Sequence, residues 1–231
     1  MATGRAKVPF ARLDFARRAR TGFGETVFGP GKTPEQLASI FKAFAEKRLP
    51  VLATRVSPSQ AETVLSLGVK ARYSPEGRLL VAEAGGTRGA RARLNGKVAV
   101  LTGGTADIPV AEECAGTVEF FGGKAARYFD VGVAGLHRLL GVIDEVRKAD
   151  VVVAVAGMEG ALPSVVSGLV SAPVVAVPTS VGYGAGIGGV AAALAMLNSC
   201  AEGVSVVNID NGFGAAVVAC RMLRGMKKGR R

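Results

Sequence analysis

Residues 151–163 read VVVAVAGMEGALP, and this stretch decides the fold. A run of small apolar residues without a charge is typical of a strand that is buried on both faces of a parallel sheet. The glycine-rich turn that follows leads to Pro163, a residue suited to the first turn of a helix. The stretch therefore predicts a strand, a tight loop and the start of a helix.

The same pattern repeats on both sides of this stretch. We predict strands at 98–102, 125–129, 151–156, 174–178 and 204–209, and helices near 108–121, 135–148, 160–170, 187–199 and 212–223. Strands and helices that alternate at these lengths imply parallel strands joined by right-handed crossovers. The predicted fold class is α/β, a three-layer αβα sheet of the Rossmann or flavodoxin type.

The first 96 residues do not show this regular alternation of strands and helices. Helices are expected at 10–20, 34–47 and 58–67, and strands at 49–54 and 79–83. Gly29–Thr33 lacks the spacing of a phosphate loop, so we interpret it as a tight turn with Thr33 as the cap of the next helix. We predict a smaller N-terminal α/β domain with a basic linker over 1–96, a larger domain over 97–223 and a basic tail over 224–231.

The net charge of +11 is unevenly distributed. Residues 1–97 hold 18 Lys and Arg against 7 Asp and Glu (+11), residues 98–220 hold 5 against 11 (−6), and residues 221–231 hold 6 against none (+6). A solvated basic surface, an anionic small molecule or a nucleic acid would each account for the basic ends. The simplest interpretation is a solvated surface, so we do not expect a nucleic-acid partner.

The cysteines and the apolar stretches indicate the compartment. Cys114, Cys200 and Cys220 lie far apart, which argues against a disulfide framework or a zinc site and favours a reducing compartment. The longest uncharged stretch, 160–201, is interrupted by prolines and glycines and is not expected to span a membrane. No signal peptide is recognisable at the N-terminus, so we expect a cytoplasmic protein.

Ligands of open parallel sheets bind beyond the carboxyl ends of the strands. Five loops are predicted at that edge: 103–109, 130–135, 157–163, 179–184 and 208–212. They contain most of the glycines and small polar residues of the domain, and each opens a helix whose N-terminus favours negative charge. This edge is expected to bind an anion with several phosphates.

Three features of the edge have more than one interpretation. Glu159 is the only charge in a long apolar neighbourhood, so it is either a base for proton transfer in a buried setting or a cap for the helix that follows. His137, the only histidine, is either a structural hydrogen-bonding group or a ligand contact. Residues 184–189, GAGIGG, match a dinucleotide fingerprint in the wrong context, and the lack of a polar face over 186–197 instead indicates a subunit interface.

Six segments of the larger domain together resemble one family. They are DIPVAEE at 107–113, DVGVAG at 130–135, GMEGALPS at 157–164, VPTSVGYG at 177–184, LNSCA at 197–201 and VVNIDNGFG at 206–214. They are similar to the pyridinium-3,5-biscarboxylic acid mononucleotide synthase family, known as LarB. More distantly, the domain resembles PurE, the purine-pathway aminoimidazole ribonucleotide carboxylase, whose fold and octameric assembly that family shares.

The resemblance implies a reaction. The family carboxylates the pyridinium ring of nicotinic acid adenine dinucleotide at C5 and hydrolyses the phosphoanhydride, which releases AMP in the first step of nickel-pincer cofactor synthesis. Carbon dioxide or bicarbonate is the co-substrate, no cofactor is tightly bound, and Mg²⁺ is a candidate activator. The resemblance makes Cys200 the nucleophile and Glu159 the base. The expected substrate-binding residues are Gly104, Thr105, Asp107, Asp130, His137, Ser180, Asn208 and Asn211.

Departures from the related patterns leave alternatives open. Ala161 stands where the purine carboxylases have a histidine, which counts against a purine-type carboxylase or mutase, and Ala106 stands where the family usually has serine. A non-catalytic nucleotide- or RNA-binding protein is the alternative from another class. Cys200 should end the fourth helix, ~20 Å from its own ligand edge, so it either serves a neighbouring subunit's site in a homo-oligomer or is a small buried hydrophobe.

Overall fold

The computed structural model of the chain describes residues 8–83 and 94–228. The chain divides into two compact units, Met1–Ala92 and Arg93–Arg231. Within the described residues, no helix is long and apolar enough to cross a membrane.

The first unit is built around a four-stranded mixed sheet. Its helices are α1 (Arg17–Thr21), α2 (Pro34–Glu46) and α3 (Pro58–Ser66), and its strands are β1 (Thr26–Phe28), β2 (Val51–Thr54), β3 (Arg72–Ser74) and β4 (Leu79–Ala82). The strand order is β1-β2-β4-β3, with β1 parallel to β2 and the other pairs antiparallel. The apolar faces of α2 and α3 pack on this sheet and form the core of the unit.

Both long helices of the first unit begin with the same capping arrangement. The hydroxyl of Thr33 accepts from the amide of Gln36 at 3.2 Å, and the Gln36 side chain accepts from the amide of Thr33 at 3.0 Å. Ser57 and Gln60 repeat this capping box at the start of α3. The predicted role of Thr33 is therefore confirmed, and capping accounts for the Gly29–Thr33 segment without a bound phosphate.

The helix predicted over 10–20 is wrong for most of its length, because only Arg17–Thr21 is helical. The preceding residues instead bring Leu13 and Phe15 against the core of the unit, where the Phe15 ring lies 5.0 Å from that of Phe44. Short isolated helices are marginal in water, so this packing outweighs local helix preference.

The second unit is a doubly wound α/β domain. Its strands are β5 (Lys97–Thr102), β6 (Lys124–Tyr128), β7 (Val151–Ala156), β8 (Val174–Pro178) and β9 (Val204–Val206). Its helices are α4 (Ile108–Phe120), α5 (Leu136–Leu140), α6 (Ile143–Val146), α7 (Leu162–Ser167), α8 (Val190–Leu197) and α9 (Gly212–Lys228). All neighbouring strands are parallel, in the order β6-β5-β7-β8-β9, which confirms the predicted fold class.

Helices cover both faces of this sheet. α4 and α9 pack together on one face, and α5 to α8 lie on the other, where Leu139, Leu162 and Met196 join the main core cluster. β7 and β8 are buried along their whole length, as strands in the middle of a parallel sheet should be.

Four predicted helices differ from the observed ones. α7 covers only part of the expected 160–170, and α9 continues past 223 to Lys228, so the expected basic tail over 224–231 is helical as far as that residue. The helix expected over 135–148 is split into α5 and α6 at Gly141. The helix expected from 187 begins at Val190, because residues 184–189 form tight 3-10 turns in which Ile187 and Gly188 adopt left-handed backbone angles. On the surface of this single chain, α8 exposes Leu194 and Leu197 by 61% and 69%.

Candidate functional site

A cavity of about 350 Å³ opens at the carboxyl ends of the strands of the second unit. The loops that follow β5, β6 and β7 supply most of its lining. The chain passes from β5 to β6 on one side and then to β7 on the other, so the cavity lies where the order of strands reverses. This is the position at which open α/β sheets bind their ligands.

The cavity contains half of the predicted site residues. Those among its lining residues are Gly104, Thr105, Asp107, Asp130 and Glu159. Those outside its lining are His137, Ser180, Cys200, Asn208 and Asn211.

Asp107, a residue of the cavity lining, joins several loops. The residue is 3% exposed, and its carboxylate accepts hydrogen bonds from the amide of Gly104 at 3.0 Å and from the hydroxyl of Thr179 at 2.7 Å. Burial raises the pKa of Asp107, while the hydrogen bonds from Thr179, Gly104 and Gly157 oppose that rise. The carboxylate was expected to bind substrate, and the structure shows it engaged in holding the first, third and fourth loops together.

Arg138 supplies positive charge to the cavity lining. It lies in α5, and its guanidinium donates to the carboxylate of Asp130, in a pair whose side chains are both partly exposed. Asp130 has a left-handed backbone, with φ of 57°, and its amide donates to the hydroxyl of Thr102 at 2.9 Å. A guanidinium has several donors in a planar fork, so Arg138 can contact an anion while it remains bonded to Asp130.

The loops around the cavity touch through their backbones. A Cβ on Gly132 would lie 2.3 Å from the carbonyl oxygen of Gly103, and a Cβ on Gly157 would lie 2.2 Å from that of Val181. No side chain larger than hydrogen fits at either position without moving a loop. Gly132 therefore sets the distance between the first and second loops, and Gly157 sets the distance between the third and fourth loops.

The fourth and fifth loops are held by their own polar groups. The amide of Ser180 donates to Asp210 at 2.8 Å, the side chain of Asn208 accepts from the next amide, and that of Asn211 accepts from Gly214 at 2.8 Å, as an N-cap of α9 does. These bonds give Asn208 and Asn211 a structural role beside the cavity.

Glu159, the candidate base, and His137, a candidate ligand contact, are both accessible. Glu159 lines the cavity but is exposed, so its expected burial does not occur in the single chain. His137 is exposed on α5.

The three cysteines lie in two environments. Cys114 and Cys220 are fully buried, and burial raises the pKa of Cys220 to about 12. Cys200 is exposed, on the segment between the end of α8 and the start of β9. That position is on the side of the amino ends of the strands, as expected, and Cys200 is not buried within the single chain.

No cluster of three or more histidine, cysteine, aspartate or glutamate side chains that could hold a metal ion occurs in ranges 8–83 and 94–228.

Three residues of the site were not predicted individually. Arg138 follows His137 directly, and its charge just after the glycine-rich second loop was the available signal. Thr179 and Asp210 each follow a strand at the ligand edge, but their partners lie 72 and 30 residues away in the chain. No local pattern reveals such pairings.

Comparisons with known proteins identify two matching domains. Residues 5–84 match the family model described as LarB/PurE-like N-terminal domain, and residues 97–229 match AIR carboxylase. The chain is also similar to the crystal structure of Treponema denticola PurE, with a TM-score of 0.46 and 17% identity over 58% of this chain and 90% of that chain.

Two curated relatives come from Methanocaldococcus jannaschii. Uncharacterized protein MJ0165 is 39% identical over 94% of this chain and 85% of its own length. An N5-carboxyaminoimidazole ribonucleotide mutase is 34% identical over 54% of this chain and 78% of its own length. The matched domains and their order show that the chain belongs to the LarB family, whose second domain is of the AIR carboxylase type.

Proposed function

We propose that this chain carboxylates nicotinic acid adenine dinucleotide at C5 of the pyridinium ring and hydrolyses its phosphoanhydride, giving pyridinium-3,5-biscarboxylic acid mononucleotide and AMP. The observation that supports this most directly is the exposed thiol of Cys200 in a chain of the LarB family whose other two cysteines are fully buried. Only an accessible thiol can add to a substrate.

The chemistry explains why a thiol is needed. A pyridinium carbon is electrophilic and does not attack carbon dioxide. When the Cys200 thiolate adds to the ring, it forms a C–S bond and leaves C5 enamine-like, so that C5 can bond to the carbon of CO2. Glu159 then accepts the C5 proton, and the ring regains its aromaticity as the C–S bond breaks and the thiolate leaves.

The cavity suits the rest of the substrate. Arg138 and the amides of the lining loops offer donors for phosphate oxygens. The exposed carboxylate of Glu159 lies in the same cavity lining, where it would attract a cationic ring. Hydrolysis of the phosphoanhydride by water then separates AMP from the mononucleotide. Mg²⁺ is a candidate activator for that step.

Cys200 and Glu159 are proposed to come from different copies of the chain. Cys200 is not among the residues that line the cavity, and α8, just before it, presents exposed Leu194 and Leu197 to solvent. A homo-oligomer, an octamer by resemblance, would bury this surface and bring one copy's thiol to another copy's cavity. Coexpressed Cys200→Ala and Glu159→Gln chains, each inactive alone, should then recover activity in about a quarter of the sites.

The direct test is incubation with nicotinic acid adenine dinucleotide, bicarbonate and Mg²⁺, followed by mass spectrometry. The wild type should release AMP and a dicarboxylated mononucleotide, and Cys200→Ala should not. Cys114→Ala, which removes a buried thiol, is the matched control and should retain activity. If the wild type leaves the dinucleotide unchanged, the proposal is wrong.

A second candidate is a purine-type carboxylase or mutase, which the AIR carboxylase match and the mutase relative favour. Ala161 lines the cavity and has no titratable side chain. The resemblance to the purine enzymes implies that a histidine stands at this position in them. The same assay with N5-carboxyaminoimidazole ribonucleotide separates the two activities, and turnover of that substrate should be insensitive to Cys200→Ala.

A further inference from the structure

Two serines of α7 are bonded to the segment that contains Cys200. Ser164 and Ser167 lie three residues apart, so their side chains share one face of the helix. The hydroxyls of Ser164 and Ser199 lie 2.7 Å apart, and the hydroxyl of Ser167 donates to the carbonyl of Glu202. The two contacts bracket Cys200 on both sides in the sequence.

The hydroxyl of Ser199 also organises the segment internally. It accepts from the amide of Ala201 at 3.2 Å, and the amide of Ser199 donates to the carbonyl of Met196 at 3.3 Å. The turn around Cys200 is therefore closed by one hydroxyl, and that hydroxyl is itself bonded to α7. Since Cys200 is exposed and its neighbours form no regular element, these bonds are well placed to define where the thiol points.

The same helix is adjacent in sequence to the cavity. α7 begins at Leu162, directly after the loop that contains Glu159, and both Leu162 and Val166 are buried in the core. The helix is thus a rigid support whose inner face is packed and whose serine face is bonded to the Cys200 turn. We propose that Ser164 and Ser167 are positioning residues that fix the turn presenting the Cys200 thiol. The consequence of this for catalysis rests on the proposed function.

The first readout does not depend on any substrate. Hydrogen exchange of the peptide around residues 198–203 would be compared in the full-length wild type and in the Ser164→Ala/Ser167→Ala variant. Loss of the two hydroxyls should speed exchange at the amide of Ala201 roughly 3- to 10-fold, because each such bond contributes modestly to local protection. Ser205→Ala, which removes an exposed hydroxyl from β9, is the matched control and should leave exchange unchanged.

The second readout separates positioning from general structure. In the assay with nicotinic acid adenine dinucleotide, the double variant should lose about tenfold in kcat with KM changed less than about twofold, because neither serine is among the residues that line the cavity. Ser164→Thr keeps the hydroxyl and should retain most of the wild-type kcat.

The outcomes are distinguishable. Unchanged exchange in the double variant would overturn the proposal, as would faster exchange with an unaltered kcat in an active enzyme. If the wild type does not consume the dinucleotide, the proposed function fails, and the exchange comparison alone decides whether the serines fix the turn.

Discussion

Replacing Thr179 with valine removes one buried hydroxyl that is bonded to Asp107 of the cavity lining, and it leaves the shape of the side chain nearly unchanged. That hydroxyl donates to Asp107 at 2.7 Å, and the two residues are 0% and 3% exposed, so water cannot readily take its place. A hydrogen bond to a charged group contributes roughly 1.5–3 kcal/mol. We therefore expect Thr179→Val to lower the free energy of unfolding by about 2 kcal/mol at neutral pH.

The loss should depend on pH. Burial is the main cause that raises the pKa of Asp107 above its usual value of 3.8, and the Thr179 hydroxyl opposes this rise. A carboxyl group whose pKa is raised by folding stabilises the fold fully below its unfolded pKa, and that stabilisation is lost as the pH rises through the folded pKa. Without the hydroxyl, the pKa of Asp107 rises further and more stability is lost at neutral pH. The cost of Thr179→Val should therefore shrink as the pH falls towards the usual value for aspartate.

Urea-induced unfolding of the wild type and the variant at about pH 5 and about pH 8 measures how the cost of the substitution changes with pH. Because the other titrating groups are the same in both proteins, their contributions cancel in the comparison. Thr117→Val is the matched control: Thr117 is also 0% exposed, and its hydroxyl donates to the uncharged carbonyl of Glu113 at 2.7 Å. Its cost should be about 1 kcal/mol at both pH values. If Thr179→Val costs the same at both pH values, its hydroxyl does not stabilise the ionised form of Asp107 and the reasoning is refuted.

Three further substitutions test the cavity. Arg138→Gln should weaken AMP binding about tenfold in calorimetry, because a charged donor to phosphate is lost, and unchanged affinity would remove Arg138 from the site. Gly132→Ala should lower the free energy of unfolding by about 1–3 kcal/mol in urea, since its Cβ would meet the Gly103 carbonyl at 2.3 Å; a neutral effect would mean that the second loop moves freely. Ala106→Ser adds a hydroxyl to the cavity lining and should lower KM for the dinucleotide about 3- to 10-fold, with a raised KM as the contradicting result.

The sequence predicted the sheet of the second unit well because its central strands have a strong pattern. β7 and β8 have the predicted bounds, since each is an uninterrupted apolar run between turn residues. β9 was expected to reach residue 209 but ends at Val206, and it is an edge strand that pairs only with β8 in the described sheet. Apolar pattern alone does not reveal where an edge strand stops pairing.

The site was predicted by position more successfully than by role. Asp107 was placed correctly at the ligand edge, yet its partner Thr179 is 72 residues away, so its internal bonding was not readable from the sequence. The capping role of Asn211 was readable, because asparagine before a helix is a preferred N-cap. The exposure of Glu159 could not be predicted, because apolar neighbours in the sequence do not show whether a side chain in a loop faces solvent or the protein interior.

The charge of the second unit illustrates the same limit. Residues 98–220 have a net charge of −6, which taken alone would disfavour a phosphate-bearing ligand. At the ligand edge, however, Asp107 accepts hydrogen bonds from two amides and a hydroxyl, Asp130 is paired with Arg138, and Asp210 accepts from the amide of Ser180. These partners compensate the carboxylates locally and leave the exposed Glu159 beside an arginine-containing cavity. Such an edge offers donors for phosphate oxygens and, beside them, a carboxylate that would attract a cationic ring, as the proposed pyridinium dinucleotide requires.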